Sequence, residues 1–164
     1  MQIRFGLLTA SDRAARGERA DLSGPALEQA LVAQGWTVAR KAVLPDDREA
    51  LRRTLLDWAE SGELDAILTT GGTGFAPRDV TPEATRAVLD REAPGLAEAM
   101  RQESLKITPH AMLSRAVAGM RGRVLIVNLP GSPKGALENL QVLLPVLGHA
   151  IELLHDDPGS ETHH

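Results

Sequence analysis

The chain has 164 residues, 43% hydrophobic and 24% charged, with no cysteine and a net charge of −4. That length fits one domain able to bury a core without staples, and the missing cysteines exclude thiol catalysis, thiolate metal sites and disulfides. The acidic balance and 2% aromatic content exclude a broad basic nucleic-acid surface and a base-stacking platform.

The first apolar run, residues 1–8, is too short for a signal peptide or a membrane span. A cytoplasmic protein without nucleic-acid or membrane partners is the expectation. Residues 3–10 read as a buried strand. Ser23-Gly24-Pro25 opens a helix carrying Leu27, Ala30 and Leu31, closed by Gly35. Residues 36–44 read as a second strand, and Pro45-Asp46-Asp47 opens a helix with Leu51, Leu55 and Trp58 on one face, stopped near Gly62. Residues 65–70 form the clearest strand and run into Gly71-Gly72-Thr73-Gly74.

Thr81-Pro82-Glu83 has the residues of a helix start, with Thr81 as N-cap and Pro82 at the first helical position. After Ala93-Pro94-Gly95 a further helix carries Leu96, Met100 and Ile107; Thr108-Pro109 ends it and opens a short one through Leu113. Residues 123–128 read as a fourth core strand. Ser132-Pro133 opens the last helix, with Leu137, Leu140, Leu144, Leu147, Ile151 and Leu154 at three-four spacing, a face suited to the core or a subunit interface. Pro145 predicts a kink or two abutting helices. Residues 1–155 then make a single domain, and residues 156–164 read as a disordered tail.

Strands alternating with helices imply right-handed crossovers and a mostly parallel, Rossmann-like sheet with helices on both faces. Ligands bind such sheets beyond the carboxyl ends of the strands. That rule selects residues 11–13, 45–47, 71–79 and 129–134. Three glycines within Gly71-Gly72-Thr73-Gly74 can cradle an anion on backbone amides, or simply make a tight turn. Lys134 is one of three lysines and stands in a first helical turn, where a cation is unfavourable unless an anion lies beside it; a solvated lysine is the plainer alternative. Asp46 and Asp79, on different loops of one edge, can hold Mg²⁺ with substrate phosphates. The plainer alternatives are an N-cap for Asp46, an ion pair with Arg78 for Asp79, and an Asx-turn for Asp12. His110, His149 and His155 lack metal-ligand spacing, and no serine sits in Gly-x-Ser-x-Gly.

The stretch Thr69-Thr70-Gly71-Gly72-Thr73-Gly74, continued by Arg78-Asp79-Val80-Thr81-Pro82-Glu83-Ala84, resembles the molybdopterin adenylyltransferase family of molybdenum cofactor biosynthesis. Ser11-Asp12-Arg13-Ala14 with Gly17 and Asp21, Leu44-Pro45-Asp46-Asp47, Ser114-Arg115, and Asn128-Leu129-Pro130-Gly131-Ser132-Pro133-Lys134 extend the resemblance over residues 3–154, closer to the MogA-type than the MoaB-type branch. The resemblance implies a three-layer α/β/α sandwich and a homotrimer that binds molybdopterin and Mg·ATP, with the molybdenum insertase as a partner. It implies transfer of AMP from ATP to the terminal phosphate of molybdopterin, releasing pyrophosphate; the alternative is a non-catalytic molybdopterin carrier of the same fold. Asp46 and Asp79 take the catalytic and metal-binding roles. Ser11, Asp12, Arg13, Gly71, Gly72, Thr73, Gly74, Arg78, Ser114, Arg115, Pro130, Gly131, Ser132 and Lys134 take the substrate and nucleotide contacts. Arg13, Arg78, Arg115 and Lys134 are expected to converge on the site. Family members often carry an aromatic residue after Gly17, where this chain has Glu18-Arg19-Ala20, so the pterin is expected to be gripped without a ring stack.

Overall fold

In the computed structural model, which describes residues 1–156, the apolar strands β1 (Arg4–Ala10), β3 (Ala66–Thr70) and β6 (Val124–Leu129) lie side by side in a six-stranded sheet. β2 (Thr37–Leu44) flanks them on one side, and β4 (Arg91–Glu92) and β5 (Ala118–Arg121) on the other, in the order β2-β1-β3-β6-β5-β4. The first four strands of that order run parallel; β5 pairs antiparallel with β6, and β4 antiparallel with β5. The helices are α1 (Asp12–Ala15), α2 (Ser23–Ala33), α3 (Arg48–Glu60), α4 (Thr81–Arg86), α5 (Pro94–Leu105) and α6 (Pro133–Leu154), with a 3-10 turn at Pro109–Leu113.

Central strands need cover on both faces, and two core clusters supply it. On one face Phe5, Leu7, Leu68 and Val127 meet Leu27 and Leu31 of α2, Met100 of α5, and Leu140, Leu143, Leu147 and Ile151 of α6. On the other, Leu8, Ile67 and Ile126 meet Leu51 and Leu55 of α3 and Ala84 of α4. Each buried leucine or isoleucine stabilises by about 1.5–3 kcal/mol before chain entropy is counted. β2 alternates between exposed and half-buried positions, as an edge strand does.

The antiparallel pair β4 and β5, separated in the chain by α5, is not expected from the sequence pattern. Its strands have two and four residues, too short for a period, and Gly119 occupies a place where a side chain would overlap the Arg91 carbonyl. Thr81 is not an N-cap: it lies inside α4, and its buried hydroxyl donates to the Gly71 carbonyl at 2.9 Å. α6 is one continuous helix through Pro145. Pro145 and Gln141 are both exposed, so the carbonyl the proline leaves unpaired faces water. The expected tail lies outside the described residues, apart from Asp156.

Candidate functional site

The carboxyl ends of β1, β2, β3 and β6 open around a cavity of about 350 Å³. Ser11, Asp46, Gly71, Gly72, Asp79, Gly131 and Ser132 line it, so the four loops selected from the sequence do meet at one place. Gly71 brings them this close. Its φ is +98°, and a Cβ there would overlap the Ala10 carbonyl of the neighbouring strand. Buried hydroxyls stitch the loops: Thr70 donates to the Pro130 carbonyl (2.6 Å), and Ser23 to that of Gly131 (2.7 Å). Among the described residues the Gly71 amide is taken by Leu129, whereas those of Gly72, Thr73 and Gly74 have no acceptor within the chain. The loop is thus a tight turn that also presents unpaired N–H groups, the requirement for an anion cradle.

Asp12 and Asp46 hold each other. The Asp12 amide donates to Asp46 Oδ2 (3.0 Å), and the Asp46 amide donates to Asp12 Oδ1 (2.9 Å). The Arg78 guanidinium forks onto both Asp12 oxygens at 2.5 and 3.0 Å. That fork, with the Asp46 amide, holds the Asp12 carboxyl down at about 2. Burial pushes the Asp46 carboxyl up, and the charges of Asp12 and Asp79 add to the effect. Asp46 is free to face the cavity because the next residue does the capping: Asp47 accepts from the amides of Glu49 and Ala50 at the start of α3. Asp79 keeps one oxygen on the Ala76 amide (2.9 Å), in a turn closed by its own amide to the Ala76 carbonyl.

Arg115 plays a different part from the ligand contact expected of it. Its guanidinium donates to the Gly74 carbonyl (2.7 Å), the Asp79 carbonyl (2.6 Å) and Glu83 (2.7 Å), while its amide donates to Thr73. It buckles both ends of the glycine loop to α4. Ser114 lies outside the cavity lining; its carbonyl accepts from Arg101 and its hydroxyl from the Ala116 amide. Lys134 is 81% exposed, 3.8 Å from Glu138 one turn along α6. Arg13 is exposed on α1. None of the four cations lines the cavity: planar forks on Arg78 and Arg115 find carboxylates and carbonyls of their own, and Lys134 finds an acid at i+4.

Arg19 is the basic side chain that does line the cavity, together with Thr9, Asp21, Ser23 and Thr70. None of these five is a site residue expected from the sequence. Asp21 had a signal: it stands three residues before Gly24, whose amide it accepts at 3.1 Å, and its other oxygen takes the Thr9 hydroxyl at 2.9 Å. Among the described residues no three His, Asp or Glu side chains gather as a metal site.

The family described as "Probable molybdopterin binding domain" matches residues 6–149. A crystal structure of the molybdopterin biosynthesis enzyme MoaB from Thermus thermophilus is 54% identical, with a TM-score of 0.90 over 96% of this chain and 99% of that one. A structure of MogA is 42% identical, with a TM-score of 0.88 over 92% and 99%. The molybdopterin adenylyltransferase of Escherichia coli K12 is 43% identical over 91% of this chain and 77% of its own length. The chain spans only about a quarter of two longer relatives, 26% of the molybdenum cofactor synthesis protein cinnamon of Drosophila melanogaster and 23% of gephyrin of Dictyostelium discoideum. The chain belongs to the molybdopterin-binding domain family of molybdenum cofactor biosynthesis.

Proposed function

We propose that this protein is a molybdopterin adenylyltransferase. A terminal phosphate oxygen of molybdopterin attacks the α-phosphorus of ATP, the bond to the β-phosphate breaks, and pyrophosphate leaves with adenylylated molybdopterin as the other product. The observation that carries the reading is the meeting of Asp46 and Asp79, from two loops, beside the unpaired amide of Gly72 in one cavity. Phosphoryl-type transfer asks of a protein chiefly alignment and charge stabilisation. The amide of Gly72 and the start of α6 at Ser132, both at the cavity, suit phosphate oxygens. The attacking group belongs to the substrate, so no serine or cysteine nucleophile is needed.

Asp46 and Asp79 fit Mg²⁺, since each has one oxygen fixed by a backbone amide and a second that takes no hydrogen bond among the described residues. Bound there with the nucleotide phosphates, Mg²⁺ would neutralise charge developing on them. The same reading takes the protein to be a cytoplasmic homotrimer that passes its product to the molybdenum insertase. Exposed Ile107, Met112 and Val146 support self-association.

The test is incubation with molybdopterin, ATP and Mg²⁺, following pyrophosphate and adenylylated molybdopterin. Turnover by the parent, abolished in Asp79→Asn with molybdopterin binding retained, is the expected result. A folded parent that binds molybdopterin yet forms neither product is a carrier, and the proposal falls.

A further inference from the structure

The cavity is acidic for a site that is to hold phosphates. Asp21, Asp46 and Asp79 line it, and Arg19 is the one basic side chain among the described lining residues. Three other cations expected at the site are engaged elsewhere, Arg78 on Asp12, Arg115 on Glu83 and Lys134 beside Glu138. Arg19 makes no hydrogen bond or ion pair among the described residues, although its neighbour Arg16 is held by Glu18. It sits on the exposed loop between α1 and α2, next to a turn at Gly17 with φ +74°. An arginine left without a partner at the mouth of an acidic cavity keeps its full fork of donors for whatever enters.

We propose that Arg19 is the side-chain cation that binds the phosphate of the incoming ligand, through a forked contact to two phosphate oxygens. The proposal rests on the reading that this cavity takes phosphorylated ligands. Both ATP and molybdopterin carry the required chemistry, and binding measurements on each separate them. Because Arg19 is exposed and holds no hydrogen bond or ion pair among the described residues, its replacement is expected to leave the fold intact, which circular dichroism of each variant verifies.

The experiment titrates the full-length protein and its Arg19→Ala, Arg19→Lys and Arg19→Tyr variants with Mg·ATP and, separately, with molybdopterin, at low and high salt. The expected result is about a tenfold weaker Kd in Arg19→Ala for at least one ligand, largely restored in Arg19→Lys but not in Arg19→Tyr, with the gap narrowing at high salt. Loss confined to ATP assigns the contact to the nucleotide, and loss confined to molybdopterin assigns it to the pterin phosphate. Unchanged affinity in Arg19→Ala while the parent binds overturns the role of Arg19 and leaves the adenylyltransferase reading standing. Recovery in Arg19→Tyr but not Arg19→Lys also overturns it, since the contact is then to a ring face and not to phosphate. A folded parent that binds neither ligand removes the adenylyltransferase reading, and the Arg19 proposal with it.

Discussion

Replacing Arg115 by lysine separates a clamp from a ligand contact. Arg115 reaches the Gly74 carbonyl, the Asp79 carbonyl and the Glu83 carboxylate at once, at 2.6–2.7 Å. A lysine ammonium keeps the charge and can keep one of the three. Two charge-assisted bonds lost at about 1.5–3 kcal/mol each set the upper limit. Arg115 is 35% exposed, so water recovers about half, leaving a loss of about 1.5–3 kcal/mol. For a domain of this size that is a fall in Tm of about 3–12 °C. The freed carbonyls belong to the turn that aims Asp79, and a displacement of about 1 Å there costs about a hundredfold in kcat. Calorimetry and pyrophosphate release measure the two effects. A variant with parental Tm and kcat but a raised KM would refute the clamp and restore Arg115 to the ligand-binding role its sequence position suggests.

Gly71→Ala forces φ +98° on a residue with a Cβ and drives that Cβ into a backbone carbonyl, so a loss of at least about 3 kcal/mol is expected in urea unfolding. Gly122→Ala, at φ +57° with open space around it, loses only about 1 kcal/mol in the same assay. Lys134→Ala leaves KM for ATP within about twofold of the parent in steady-state kinetics, because its ammonium is solvated. Asp65 is buried, which pushes its carboxyl up, but the Arg4 side chain and amide outweigh this and hold it below the usual range. Its folded value therefore lies below its unfolded value, so its stabilisation is full above the unfolded pKa of about 4 and fades as pH falls through the folded one. Urea midpoints of the parent and Asp65→Asn should differ most near neutrality and draw together in acid.

The parts of this fold that could be read in advance are those where one-dimensional pattern and three-dimensional role coincide. An apolar strand running into Gly71-Gly72-Thr73-Gly74 announces both a central strand and its ligand-side loop, because a parallel sheet buries the one and exposes the other. Asp46-Asp47 shows where that coincidence ends. Both residues suit an N-cap, and only the entry angle of the chain decides that Asp47 caps and Asp46 faces the cavity. The pair β4 and β5 is illegible for a related reason: Ala118–Arg121 is a strand because the edge of β6 needs a partner, and Arg91–Glu92 because the edge of β5 does, not because their own residues alternate.

The cations carry the larger lesson about charge. Counted by position, Arg13, Arg78, Arg115 and Lys134 suggested a positive edge that would offset the net charge of −4. In the folded chain Arg78 and Arg115 are consumed in holding the acidic machinery still, one on Asp12 behind Asp46 and the other on the turn that carries Asp79. A basic residue beside a motif is therefore at least as apt to aim the motif as to touch its ligand, and the two roles differ in what else lies within reach of its donors. Arg78 has a carboxylate within 3.0 Å and Arg115 two carbonyls and an acid. Among the described residues Arg19 has none of these, and it lines the cavity with its donors unspent.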